Sequence, residues 1–290
     1  KPNGVCGILR DVTDRKIAEQ ALAHILKGTS AVTGLGFFEN LVSCLADALG
    51  AKGAMVSRIL DSERMEALAL WMDGALQENR IVKISDTPCN MVCKENRSVV
   101  VPNFASTMYK DCPIITEHKI MSYMGRPILD RNGKMLGILS LMDTIPREEQ
   151  DQDLAMKLLD IFSARAGAEM ERNQAHIELA RFHAIIEQAS ETILITDKDG
   201  KIEYVNPAFE KLSGFTKDEV KGRNPSILRS DQHDDAFFAD MWQTLNQGKI
   251  WEGRLVNQCK DGRLVTEEAI ISPVRDDNGE IVNFVSVNRN

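Results

Sequence analysis

Between Glu148 and Ser190 the chain has one glycine, Gly167, and no proline. Elsewhere turn signals recur: Asp130–Gly133, Asp199-Gly200, Asp261-Gly262 and Asp277–Gly279 each lie between β-prone runs. A run so free of breakers predicts one helix of nearly 40 residues, about 60 Å long at 1.5 Å per residue. Two seven-residue series pass along it. Leu154, Ile161, Ala168, Ala175, Phe182 and Ala189 are apolar throughout, whereas Leu158, Arg165, Arg172, Leu179 and Ile186 are broken by two arginines. That is an imperfect coiled-coil seam. It predicts a homodimer formed through linker helices, against the alternative that each half of the helix packs on the unit beside it.

The block after this helix opens with Thr192–Asn224. Ile193–Ile195 form an apolar β-prone run, Asp199-Gly200 is a hairpin turn, and Ile202–Val205 is the returning strand. Thr216 followed by Glu219 is a capping box that starts a short helix. Asp234–Asn246 is an amphipathic helix with Phe237, Phe238, Met241, Trp242 and Leu245. Strands are expected at Ile250–Gln258, Leu264–Pro273 and Ile281–Asn288. Asp197, Asp199, Gly200, Ile202, Tyr204, Asn206, Phe209, Gly214, Phe215, Glu219, Gly222 and Asn224 follow a pattern that resembles the opening half of a PAS domain. The resemblance implies a sensory module rather than a catalyst.

The block before the helix has an amphipathic helix at Gly34–Leu49 and strands at Ala54–Leu60, Met65–Trp71 and Ser98–Phe104. A short helix is expected to start at Thr87-Pro88, with Thr87 or Asp86 as its N-cap, and Met121–Leu129 and Lys134–Met142 form a hairpin. The runs at 87–92, 99–104 and 122–143 make this block resemble a GAF domain. At the other end, Asn3-Gly4 and the apolar Val5–Val12 resemble the closing strand of a PAS domain entering an exit helix.

The reading is therefore an α+β chain of antiparallel-sheet GAF and PAS domains joined by long α-helical linkers. Residues 1–13 are the last strand of a truncated PAS domain and 14–28 a linker helix. Residues 29–150 are a GAF domain, 151–189 a signalling helix and 190–290 a PAS domain.

Composition narrows the function. The 290 residues suit about two domains. A net charge of −8 argues against a nucleic-acid surface. No apolar run approaches the roughly 18–20 residues that cross a bilayer, so no membrane contact is expected, and no signal peptide is evident. The chain begins at Lys1 without methionine and stops within a strand at Asn290, which reads as a fragment of something longer. The six cysteines lack paired CxxC spacing, so no metal site is expected, and a cytoplasmic protein with reduced thiols is. Cys89 and Cys93 share a helix face and read as small apolar residues.

Strand alternation marks a pocket wall. Trp251, Gly253, Leu255 and Asn257 are expected to face inward, as are Val265, Glu267, Ala269 and Ile271. On the last strand, Phe284, Ser286 and Asn288 share one face and Val285 and Val287 the other, and pattern does not say which looks inward. Asn257 and Glu267 are polar groups on an apolar wall. An unpartnered buried polar group costs about 1–3 kcal/mol, so the fold or a ligand must supply each partner. The resemblance implies that Asn257, Glu267 and Asn288 sit where flavin-binding relatives hold the polar edge of the ring, with Trp251 against it. Pro225 stands where a light-oxygen-voltage domain has its adduct-forming cysteine, which removes adduct photochemistry and leaves a redox-sensing FAD domain, another small-molecule ligand or an empty pocket. Haem would want a histidine on the Asp234–Asn246 helix; His233 lies just before it and reads as a solvated helix start.

No triad, paired carboxylates or phosphoacceptor histidine motif is present, so no catalytic residue is expected. The resemblance implies the input region of a sensor histidine kinase, with a downstream kinase or cyclase domain in the longer protein. A diguanylate cyclase input region and an unliganded dimerisation scaffold are the alternatives.

Overall fold

A computed structural model describes residues 33–103 and 105–290. The truncated PAS strand expected over 1–13 and the helix expected over 14–28 lie outside the described residues. The chain divides into two compact units between His176 and Ile177.

In the first unit, helix α1 (Leu35–Leu49) ends on Gly50, whose φ of 56° is the left-handed conformation that glycine adopts without strain. Strands β1 (Gly53–Ile59), β2 (Arg64–Met72), β3 (Ala75–Leu76), β4 (Ile81–Lys83), β5 (Val99–Val101), β6 (Ser122–Leu129) and β7 (Met135–Asp143) form one antiparallel sheet. Its order is β3-β2-β1-β7-β6-β5, with β4 also pairing to β2. Alternation splits the core between the two faces. Ala54, Val56, Leu139 and Leu141 meet Phe38, Leu41 and Leu45 of α1 and the first half of helix α5 (Glu149–Glu187). Met55, Ile138 and Tyr123 face the short helices α2 (Cys89–Glu95), α3 (Ala105–Met108) and α4 (Pro113–Glu117).

The breaker-free run is indeed one continuous helix. Its buried stripe in the first unit is Ala155, Leu158, Leu159, Phe162, Ala166 and Met170, the i, i+3, i+4 spacing of a helix seated on a sheet. Gly167 is explained here, because a Cβ on it would run into the carbonyl oxygen of Leu129. Two local expectations change. Thr87 does not cap α2: its hydroxyl donates to the Ile84 carbonyl at 3.0 Å, and Pro88 occupies the N-cap without a side-chain bond. The strand expected over Ser98–Phe104 is only Val99–Val101, because Pro102 has no N–H to extend the ladder.

In the second unit, strands β8 (Thr192–Asp197), β9 (Ile202–Val205), β10 (Trp251–Gln258), β11 (Leu264–Arg275) and β12 (Ile281–Arg289) form an antiparallel sheet of order β10-β11-β12-β8-β9. Helices α6 (Pro207–Ser213), α7 (Lys217–Val220) and α8 (Asp235–Asn246) and a 3-10 turn at Pro225–Leu228 complete the unit. Asn206 caps α6 and Asp234 caps α8, each side chain accepting the N–H three residues on. The Thr216–Glu219 box forms, with Glu219 accepting the Thr216 N–H at 2.9 Å. The last strand turns Phe284 and Ser286 inward and leaves Val287 exposed.

Candidate functional site

A cavity of about 220 Å³ lies in the second unit between the inner sheet face and the 3-10 turn and α8. Its apolar lining comes from Leu194, Leu255, Ile271 and Phe284 on strands and from Met241, Trp242 and Leu245 on α8. Trp242 stands edge-on to Phe284 at 5.5 Å, so the two rings brace opposite walls. Trp242 was read from sequence as one of the apolar residues of this helix, not as a site residue. The signal was available: Phe238, Met241, Trp242 and Leu245 are at i, i+3, i+4 and i+7, the inward stripe of α8.

Of the four residues singled out from sequence, Asn257 and Asn288 line this cavity, and Trp251 and Glu267 do not. Trp251 is buried over Gly253, whose missing side chain makes room for the indole, and stands edge-on to Phe237 at 5.7 Å. It props the strand from beside the cavity. Glu267 is 4% exposed and lines a smaller void of about 30 Å³. That void shares Leu194, Leu228, Asn257 and Asn288 with the larger one.

The two polar wall residues find their partners mainly in each other. Asn257 Nδ2 donates to Glu267 Oε2 at 2.8 Å, and Thr192 Oγ1 donates to Glu267 Oε1 at 2.7 Å. Ser286 Oγ donates to Asn288 Oδ1 at 2.6 Å. Some capacity is left over. Thr196 lines the cavity with its Oγ1 buried and without a hydrogen-bond partner. A buried polar atom in that condition favours a ligand that supplies the missing bond.

The segment leading into α8 closes one side. Arg229 and Asn257 form a β-bridge, and Ser230 Oγ donates to the Val256 carbonyl. His233 is not a solvated helix start. It is half-buried, stacked on Phe237 at 4.1 Å, and its Nε2 accepts the Val256 N–H at 3.0 Å. Arg229 lies over the Phe238 ring at 4.7 Å and pairs with Asp235 at 2.7 Å. Pro225 and Ser226 of the 3-10 turn line the cavity, and no cysteine does among the described residues.

Among the described residues of the first unit, the void between the sheet and the short helices is about 10 Å³, room for one water at most. Tyr123 fills the centre, with its hydroxyl 3.2 Å from Cys89 Sγ. Burial pushes the Cys89 thiol up to about 12, and burial followed by the neighbouring Cys89 raises the Tyr123 phenol well above its ordinary range. Of the receptive pockets expected in the two units, the 220 Å³ cavity lies in the second. A groove of about 530 Å³ beside β6 is open to solvent rather than enclosed, with Arg126 held by Asp160 at 2.8 Å and Arg131 by Glu171 at 3.5 Å. Among the described residues no cluster of His, Cys, Asp and Glu is arranged to hold a metal ion, and no helix is long and apolar enough to cross a membrane.

Comparison with known proteins agrees with this division. The family model "PAS fold" matches residues 180–289, and "GAF domain" matches residues 35–170. A nitrogen fixation regulatory protein of Klebsiella pneumoniae is 37% identical over 108 residues, which is 37% of this chain and 22% of the relative. A blue-light-activated histidine kinase of Brucella ovis is 34% identical over 108 residues, 36% of this chain and 22% of the relative. The chain thus spans about a fifth of the length of these curated relatives. Among solved structures, the light-state structure of the blue-light photoreceptor Aureochrome1 LOV has a TM-score of 0.34 at 27% identity, covering 36% of this chain and 84% of that one.

Proposed function

Because the chain carries a GAF domain followed by a PAS domain, we propose that it is the sensory input region of a signal-transduction protein and that the PAS cavity is where the stimulus binds. The observation that carries this reading is the contrast between the two interiors: about 220 Å³ open in the PAS unit against about 10 Å³ in the GAF unit. The GAF domain then acts as a packed support for the first half of α5.

The cavity is somewhat smaller than the roughly 300–1,000 Å³ of sites that enclose a whole drug-sized ligand. It suits a planar ring system whose tail stays at the mouth. A flavin fits the residues present. Trp242, Leu255, Ile271 and Phe284 offer apolar contact to a ring, and Asn257, Asn288 and Thr196 offer polar groups to its edge. When bound, a flavin supplies redox chemistry and visible absorption. With Pro225 at the 3-10 turn and no thiol lining the cavity, the stimulus on this reading is redox state or occupancy rather than a cysteine adduct.

The second half of α5 supports transmission and pairing. Ile177, Leu179, Phe182 and Ile185 are 50–74% exposed, an apolar content that a solvated helix does not need. A partner helix from a second copy of the chain covers them, and ligand binding shifts the balance between two arrangements of that pair. By analogy with the blue-light-activated histidine kinase, the output domain is a histidine kinase; a diguanylate cyclase is the alternative. The relative named a nitrogen fixation regulatory protein is consistent with a regulatory role.

The test is the absorption spectrum of the protein purified without added cofactor, then after incubation with FAD. A two-banded yellow spectrum that survives gel filtration, and is weakened by Trp242→Ala, is expected. A colourless protein that also leaves FAD free in solution overturns the flavin reading and favours an unliganded dimerisation scaffold. Sedimentation of Phe182→Glu against the unaltered chain tests pairing: loss of dimer is expected, and a monomer in both refutes it.

A further inference from the structure

We infer that Glu267, which does not itself line the main cavity, sets the hydrogen-bond polarity of the cavity wall. It holds the Asn257 amide so that the carbonyl oxygen, not the amino group, is offered to the ligand. The site then selects a planar heterocycle that presents a ring N–H at that point. This deepens the reading of the cavity as a receptor for such a ring, and rests on it.

A carboxylate only accepts hydrogen bonds. Glu267 Oε2 takes one from Asn257 Nδ2 at 2.8 Å and Oε1 takes one from Thr192 Oγ1 at 2.7 Å. The Thr192 hydroxyl has a single proton and a second acceptor within reach, the Asn288 carbonyl at 3.3 Å. The shorter contact wins it. Both Glu267 oxygens are therefore committed, and no Lys or Arg among the described residues pairs with this carboxylate. Turning the Asn257 amide over would set its oxygen against a carboxylate oxygen, so its orientation is decided by chemistry.

Asn257 lines both the small void that holds Glu267 and the main cavity, so its amide sits astride the wall between them. With Nδ2 committed on the Glu267 side, Oδ1 is the group left for the main cavity. At the same wall the Ser286 hydroxyl occupies Asn288 Oδ1 and leaves Asn288 Nδ2 as a donor. An acceptor and a donor on one wall match a lactam or imide edge, a ring N–H beside a C=O. A ring alkylated at that nitrogen has nothing to give Asn257 Oδ1.

Glu267→Gln keeps the shape of the side chain and gives it an amide that can donate as well as accept, so Asn257 is free to turn. The probes are lumiflavin and 3-methyllumiflavin, which differ only in the ring N–H, titrated by fluorescence into the full chain. The unaltered protein should prefer lumiflavin by about tenfold or more. In Glu267→Gln the ratio should fall toward unity, and in Thr192→Val, which removes one tether of the carboxylate, it should fall part of the way. An unchanged ratio in Glu267→Gln overturns the inference, because a steric effect of the methyl group would be the same in both proteins. If neither flavin binds the unaltered protein, the flavin reading fails, and the side-chain NMR of asparagine-labelled protein tests Glu267 separately. The Asn257 NH₂ pair, identified by its loss in Asn257→Asp, should include one slowly exchanging proton that Glu267→Gln releases. An identical NH₂ signature in Glu267→Gln overturns the role of Glu267 whatever the ligand.

Discussion

Replacing Asn206 by alanine should loosen the end of α5 and the start of α6 together. The side chain is fully buried and makes four bonds to four different parts of the chain. Its Oδ1 accepts from the N–H of Ile193 at 3.0 Å and of Phe209 at 3.1 Å. Its Nδ2 donates to the carbonyls of Glu191 at 2.9 Å and Ile186 at 3.3 Å. Loss of the α6 cap costs about 1 kcal/mol. Leaving one further buried partner unsatisfied adds about 1–3 kcal/mol, for a total of about 2–4 kcal/mol. At 1.4 kcal/mol per factor of ten, hydrogen exchange of peptides spanning 184–194 and 206–214 should accelerate by about 30-fold or more. Asn206→Asp separates the two halves of the role. It keeps the acceptor for Ile193 and Phe209 but sets a carboxylate oxygen against two carbonyls, so exchange should rise more at 184–191 than at 206–214. Exchange within about threefold of the unaltered chain in Asn206→Ala would refute the claim that this side chain ties the helix to the sheet.

Three further outcomes follow from single residues. Phe162→Ala should destabilise the first unit by about 3–5 kcal/mol, since the ring is fully buried between α5, α1 and the sheet; a shift in denaturant midpoint worth less than about 1 kcal/mol would contradict that packing. Lys260, with help from the Thr216 N–H, holds the exposed Glu219 carboxyl down at about 2. The folded value is below the unfolded one, so the small contribution of this pair is complete above the ordinary carboxylate range and is lost as pH falls toward about 2. A carboxyl carbon titration should show that low midpoint, which should rise toward the ordinary range in Lys260→Met while the Thr216 bond remains; equal midpoints in the two proteins would refute the pairing. Cys89, pushed up to about 12 by burial, should resist iodoacetamide in the folded protein. Alkylation of Cys89 faster than the half-buried Cys93 would show that the interior of the first unit opens.

Much of the fold could be read from local pattern. The long helix, the hairpins at Asp199-Gly200 and Asp261-Gly262 and the inward face of β10 and β11 depend on periodicity and turn chemistry, which act over a few residues. Thr87 failed as a cap because a 3-10 turn at Ile84–Asp86 offered its hydroxyl a nearer carbonyl. His233 failed as a solvated residue because β10, more than twenty residues further on, brings an N–H to its ring. The tryptophans show the same limit. Trp251 satisfied the alternation rule, yet Gly253 lets it lie along its own strand, and Trp242 takes the place at the cavity.

Residue order alone was enough to divide the chain into two antiparallel-sheet units around one uninterrupted helix, because helix, strand and turn are written in short-range periodicities. It was also enough to show that Asn257 and Glu267 needed partners, because burial of a polar group has the same cost wherever the partner comes from. That they would find each other, that β12 would turn Phe284 and Ser286 inward, and that one interior would stay open while the other filled were settled by side chains distant in sequence. Such outcomes depend on how volumes and hydrogen-bond directions meet in space, which no local pattern records.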